Sequence, residues 1–109
     1  MPGVVLGEFE QLVLLALTRL GSDAYGVSIA DDIDARTSRE VSLGAVYKTL
    51  ERLEDKGLVT SRIGEPTPER GGRRKKHYRL AALGQRALRQ SMAGLRNMAE
   101  GLESELRLP

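Results

Sequence analysis

The chain has no cysteine, no tryptophan, one phenylalanine and one histidine, and no apolar run long enough to span a membrane. Each absence closes a class of function. Without thiols there can be no disulfide, no thiolate nucleophile and no cysteine-based zinc site. A membrane span needs about 20 predominantly apolar residues in succession. Met1-Pro2-Gly3 lacks the basic n-region of a secretory signal, so a cytoplasmic location is the expectation. His77 is the single imidazole, and no glycine-rich loop follows a strand to open a helix. Acid pairs such as Glu51 with Asp55, or Asp31 with Asp32, suit solvated helix faces better than catalysis. No catalytic residue, metal ligand or cofactor is therefore expected. With so few aromatics, a stacking pocket for flat ligands is disfavoured as well.

What is present suits one modest soluble domain: 109 residues, 40% hydrophobic and 29% charged. The net charge of +2 hides an uneven distribution. Residues 56–79 hold eight basic side chains against Glu65 and Glu69, a balance of +6, whereas the rest of the chain carries −4. A basic segment on an acidic body points to a localised contact with a polyanion.

Residues 41–58 organise the chain. Leu43, Val46, Tyr47, Leu50 and Leu53 recur at helical spacing and predict a buried stripe. The opposite face carries Ala45, Lys48, Arg52 and Lys56, with Gly44 keeping the N-terminal end slim. Ser42 stands where an N-cap belongs, and Gly57 suits the residue just past the helix end. A helix entering the DNA major groove has this cationic, slim exterior. An ordinary amphipathic core helix has it too, so the neighbours decide.

Residues 6–20 predict a first helix with Phe9, Leu12, Val13, Ala16, Leu17 and Leu20 on one side and Glu8 and Glu10 in the first turn. Leu14 and Leu15 widen its apolar surface, which suggests burial on two sides, one of them against a second subunit. Residues 24–36 predict a second helix, with Ile29, Ala30 and Ile33 inward and Asp31, Asp32 and Asp34 outward. Tyr25 packs at its start, and Gly26 permits close approach of another backbone. Two helices joined by a few polar residues, the second cationic outside, form a helix-turn-helix pattern.

After Gly57 the period changes. Residues 58–63 are rich in β-branched side chains and predict a strand, with residues 77–80 as its partner. Between them, Pro66, Pro68, Gly71 and Gly72 lie among basic residues and specify a loop. A hairpin with a basic tip after a helix-turn-helix is a wing able to reach phosphates or the minor groove. Taken alone, such a run is as well read as a solvated loop or a patch for an acidic protein; its position between two strands favours nucleic acid.

Residues 81–108 return to helical character. Leu88, Met92, Leu95, Ala99, Leu102 and Leu106 alternate steps of four and three, a coiled-coil seam. A helix of about 25 residues, roughly 37 Å long, exceeds what so small a domain can cover, so pairing with a second copy is expected. Gly94 and Gly101 each weaken that helix by about 1 kcal/mol relative to Ala. Either they allow close helix packing or they mark a fraying end.

Taken together, these pieces resemble the PadR-like winged helix-turn-helix transcriptional regulators over residues 6–88. The resemblance rests on Leu6-Gly7-Glu8-Phe9-Glu10, Asp23-Ala24-Tyr25-Gly26-Val27, Ser42-Leu43-Gly44-Ala45-Val46-Tyr47 with Leu50 and Leu53, and Lys56-Gly57-Leu58-Val59. Gly71-Gly72-Arg73, Tyr78-Arg79-Leu80 and Gly84 extend it. The short C-terminal part looks like the compact branch of the family, with one dimerisation helix. Three departures stand out. Arg74 lies where Pro is frequent, His77 where Tyr is common, and Ala81-Ala82-Leu83 replaces Thr-Pro-x, removing a capping hydroxyl usually worth about 1 kcal/mol.

The resemblance implies a mainly α fold with a small β-hairpin: a winged helix-turn-helix domain over 1–80 and a dimerisation helix over 81–109. It implies a homodimeric repressor of double-stranded DNA with a palindromic operator, often responsive to a small-molecule effector, for which the sequence shows no pocket. Ser42, Gly44, Ala45, Lys48 and Arg52 would then belong to the recognition helix, and Arg73, Arg74, Lys75 and Lys76 to the wing. A winged helix used only for protein–protein contact is the rival reading, since fold alone does not fix function.

Overall fold

The computed structural model describes residues 4–64 and 75–109. In order they form α1 (Glu8–Leu20), a 3-10 turn (Gly21–Asp23), α2 (Gly26–Arg36), α3 (Leu43–Asp55), β1 (Val59–Ile63), β2 (Lys76–Leu80), α4 (Ala82–Ala99) and α5 (Glu103–Leu106). This is a three-helix winged helix-turn-helix followed by a C-terminal helix.

The core forms where the apolar faces of α1, α2 and α3 meet the hairpin. Val13, Leu14, Ile29, Val46, Leu50, Leu53, Leu58 and Val59 are sealed from solvent there. Leu14 needs no second subunit, because α1 lies against both the other helices and the hairpin. Leu15 is half-buried against the same core. Ala87 and Leu88 of α4 complete it. Leu88, expected at the dimer seam, is thus part of the chain's own interior.

The α2–α3 turn is fastened by side chains. Asp34 Oδ1 accepts from the Val41 N–H at 2.8 Å, and Ser42 Oγ accepts from the Ala45 N–H at 3.1 Å as the expected N-cap. Gly57 follows α3 with φ +77°, the left-handed geometry glycine adopts most cheaply. β1 and β2 pair antiparallel with Val59 opposite Leu80, Ser61 opposite Tyr78 and Arg62 opposite His77.

Two departures follow from pairings distant in sequence. The second helix begins at Gly26 and not at Ala24, because residues 24 and 25 are drawn out along β2. The Tyr78 N–H donates to the Ala24 carbonyl at 2.9 Å, and Tyr25 bridges His77. Gly26 then lies under the Tyr47 ring of α3, so the element that approaches it is a side chain where a backbone was expected.

The C-terminal segment is not one helix. α4 stops at Ala99, Gly101 takes φ +83°, and α5 restarts for a single turn. Gly101 is a helix stop, and Gly94 faces open space. α4 starts at Ala82 with no side-chain cap. Instead its N-cap residue Ala81 donates its N–H to the Leu58 carbonyl at 3.0 Å, tying the helix to the residue that leads into β1.

Candidate nucleic-acid interface

α3 divides into two halves with different surroundings. Its N-terminal half stands beyond the elements that cover the rest. Ser42, Leu43, Gly44, Ala45, Tyr47 and Lys48 are all exposed, while Val46 behind them is sealed. The expected buried stripe therefore holds only in part: Val46, Leu50 and Leu53 are in the core, but Leu43 and Tyr47 keep 40% and 43% of their surface. Both belong to the exposed tip, and spacing alone gave no signal of this. Two apolar side chains beside Gly44 and Ala45 suit the thymine methyls and narrow clearances of a major groove. Among the described residues, Lys48 has no ion-pair partner.

The C-terminal half of α3 is anchored instead. Arg52 Nε and Lys56 Nζ lie 3.3 and 3.1 Å from Glu10 Oε2 on α1, and Arg52 also reaches Thr49 Oγ1 at 3.5 Å. The other oxygen of Glu10 accepts from the Gly7 N–H at 2.8 Å, closing the first turn of α1. Glu10 is 6% exposed, a buried acid. Burial pushes its pKa up, but the Gly7 N–H, Lys56 and Arg52 outweigh burial and hold it below the ordinary carboxylate value. A readable signal existed. Glu10 falls three, four and seven residues before Val13, Leu14 and Leu17, on the apolar stripe itself.

The acidic exterior expected for α2 is largely neutralised. Asp32 pairs with Arg19 at 2.7 Å and Arg36 at 3.1 Å, and these partners lower its pKa against the effect of burial. Asp34 serves the turn described above. Glu8 of α1 pairs with Arg39 of the turn.

At the wing base, Glu54 of α3 accepts from Ser61 Oγ at 2.6 Å and has Lys76 Nζ at 3.9 Å. Lys75 Nζ sits 4.4 Å from the centre of the Tyr25 ring, which meets the His77 ring edge-on at 5.6 Å. Lys76 thus lies beside Glu54 of α3 and the Tyr78 ring, and Lys75 beside Tyr25 at the start of α2. Arg73 and Arg74 lie outside the described residues.

A helix-turn-helix whose second helix presents a free, slim N-terminal half beside a basic hairpin defines the winged-helix class. The Transcriptional regulator PadR-like family matches residues 13–90, most of the chain. The chain belongs to that family. A PadR family transcription regulator from hypervirulent Clostridium difficile is 26% identical with a TM-score of 0.74, over 92% of this chain and 99% of that one. A PadR family regulator from Eggerthella lenta is 26% identical with a TM-score of 0.66, over 94% and 88% of the two chains. PadR of Bacillus subtilis, solved in complex with operator DNA, shares the fold at 23% identity and a TM-score of 0.64, over 77% of this chain and 47% of that one. No protein of curated function matches. Among the described residues no helix is long and apolar enough to cross a membrane.

Proposed function

We propose that this regulator is a cytoplasmic, homodimeric, sequence-specific repressor. In this reading the exposed half of α3 enters the major groove of a palindromic operator. Ser42, Gly44, Ala45 and Lys48 face the DNA there, and Arg73, Arg74, Lys75 and Lys76 of the wing meet the flanking backbone or minor groove. The observation that carries this reading is the asymmetry of α3. Its inner face is sealed in the core while its capped N-terminal half stands exposed, and the most basic segment of the sequence follows it in the chain.

Residues 1–80 act as the DNA-binding unit and 81–109 as the dimerisation unit, with Ala87 and Leu88 joining the second to the core of the first. Support for a second copy comes from Leu95 and Met98, which are 58% and 79% exposed on α4, and from Leu102 and Leu106 beyond the Gly101 break. Burying such side chains contributes about 1.5–3 kcal/mol each, which a lone chain forgoes. Two-fold symmetry then sets the half-sites roughly 34–36 Å apart. A small-molecule effector could occupy a groove of about 530 Å³ between the end of α1 and the hairpin, lined by Leu17, Thr18, Ser22, Thr60, Arg62 and Arg79.

The test is binding to a labelled fragment from upstream of the protein's own gene, with competitor DNA and a salt series. Tight, competitor-resistant binding that weakens steeply with salt is expected, since phosphate contacts release counterions. Absence of binding to any DNA at low salt overturns the reading.

A further inference from the structure

Two of the three cations on the outer side of α3 are ion-paired to the protein, while keeping 53% and 40% of their side-chain surface exposed. Arg52 and Lys56 converge, one helical turn apart, on one oxygen of one buried carboxylate. That carboxylate belongs to α1, more than 40 positions earlier, and its other oxygen is committed to the backbone of Gly7. The arrangement has a cost, because an acid must be held out of water. Its partners offset that cost only while the pairing is intact. The acid does something an apolar residue could not. It holds a fixed negative charge against these two cations.

We propose that Glu10 is the positioning residue of the recognition helix, withholding Arg52 and Lys56 from DNA so that only the half from Leu43 to Lys48 is presented to the bases. The inference rests on the DNA-binding reading above and deepens it. Sequence discrimination comes from base edges, whereas free cations add affinity for every sequence alike. An Arg and a Lys released at the rim of the helix would find phosphate on any duplex. They would raise the non-specific background against which an operator must compete. Glu10 thereby lowers the sequence-independent attraction to DNA. In this reading Arg52 is a structural anchor; bidentate guanine recognition by the helix, the commonest arginine contact, is absent from its repertoire.

The experiment compares wild type, Glu10→Gln and Arg52→Ala on random-sequence duplex DNA and on a duplex selected by wild type from a randomised pool, each across a salt series. Glutamine keeps the volume and an acceptor for the Gly7 N–H but removes the charge, so α1 stays capped. The E10Q protein should bind random DNA more tightly. Each freed cation adds about eightfold at 0.1 M salt, and the salt slope steepens by up to about 1.8 per subunit. Because phosphate contacts add to every sequence alike, the selected duplex should gain by a similar factor and the specific-to-non-specific ratio should change little. Arg52→Ala should weaken the selected duplex modestly, by loosening α3, and leave the salt slope at the wild-type value. A merely structural role for Glu10 would lower both affinities without steepening either slope, and that result overturns the proposal. So does a slope lowered by about 0.9 in R52A, which would put Arg52 on phosphate already. R52A decides the matter even if E10Q fails to fold. Failure of wild type to bind any duplex removes the DNA-binding reading itself, an outcome distinct from either of these.

Discussion

Replacing Gly84 with alanine inverts the usual rule for a helical glycine. Within a helix, Ala is favoured over Gly by about 1 kcal/mol, so an unconstrained site gains that much. Gly84 is constrained. A Cβ there would overlap the Leu58 carbonyl oxygen, sit 3.0 Å from the carbonyl carbon and lie 2.9 Å from Leu80 Cδ1. Carbon pairs settle at about 3.5 Å, so the carbonyl must retreat by roughly half an ångström or more. The same carbonyl accepts from the Ala81 N–H at 3.0 Å, so the retreat also loosens the bond that holds the start of α4. Overpacking costs about 1–3 kcal/mol and the weakened bond about 1 more. After subtracting the propensity gain, G84A should be destabilised by roughly 1–3 kcal/mol. At about 4 °C per kcal/mol this lowers Tm by roughly 4–12 °C. Gly94→Ala is the internal control: it lies on the same helix, its Cβ meets nothing within 4 Å, and its Tm should rise by about 4 °C. Both are read by calorimetry at one protein concentration, because dimerisation would make Tm concentration-dependent. A G84A protein as stable as G94A would refute the close approach of α4 to the Leu58 carbonyl at the entry to β1.

Three further outcomes follow from the same geometry. Ser42→Ala removes the acceptor for the Ala45 N–H and should cost about 1 kcal/mol in chemical denaturation. It should lower operator affinity by more than its stability loss explains, since the frayed end carries Leu43 to Lys48. Glu10 and Asp32 both have pKa values held below the ordinary carboxylate range. Each therefore contributes stability that is present above its unfolded-state pKa and lost as pH falls through the folded one. Thermal melts should drop as pH falls below about 4, and Asp32→Asn should flatten that drop relative to wild type. Leu95→Glu combined with Met98→Glu should give a monomer by sedimentation with the far-UV spectrum of the fold retained, because both side chains are exposed in the single chain. An unchanged sedimentation coefficient would place the contact between copies elsewhere.

Local signals carried most of the fold. The Ser42 cap, the glycine after Lys56 and the β-branched run after Leu58 each act within a few residues, and α3 and β1 lie where they put them. Contacts far apart in sequence were the hidden part. Nothing near Ala24 and Tyr25 announces that β2 will draw them into extended backbone. Nothing near Arg52 announces Glu10, although an acid on the apolar stripe of α1 could have prompted a search for two cations one turn apart. Periodicity tells which side chains share a face and is silent on how far the covering elements extend along it. Leu43 and Tyr47 share the face of Val46 and Leu50, yet the cover thins there: Tyr47 packs on Gly26 of α2 and still keeps 43% of its surface, and Leu43 keeps 40%.

The same reasoning bears on the seam in the last segment. The alternating steps of four and three run unbroken from Leu88 to Leu106 in the sequence, and in the fold they pass through three environments. Leu88 is in the core, Met92 is half-buried against it, and Leu95 is exposed. Beyond Gly101, Leu102 and Leu106 sit on a separate turn whose direction the positive φ of that glycine resets. One straight coiled-coil contact over the whole seam is thus excluded in this conformation. In the dimer proposed above, a partner copy would meet α4 around Leu95 and Met98, apart from any contact on α5. Gly101→Ala would separate these alternatives. If α4 and α5 must bend to dimerise, the strained left-handed position should weaken association. If a continuous helix is the dimerising form, the same change should strengthen it by favouring helical φ at that residue.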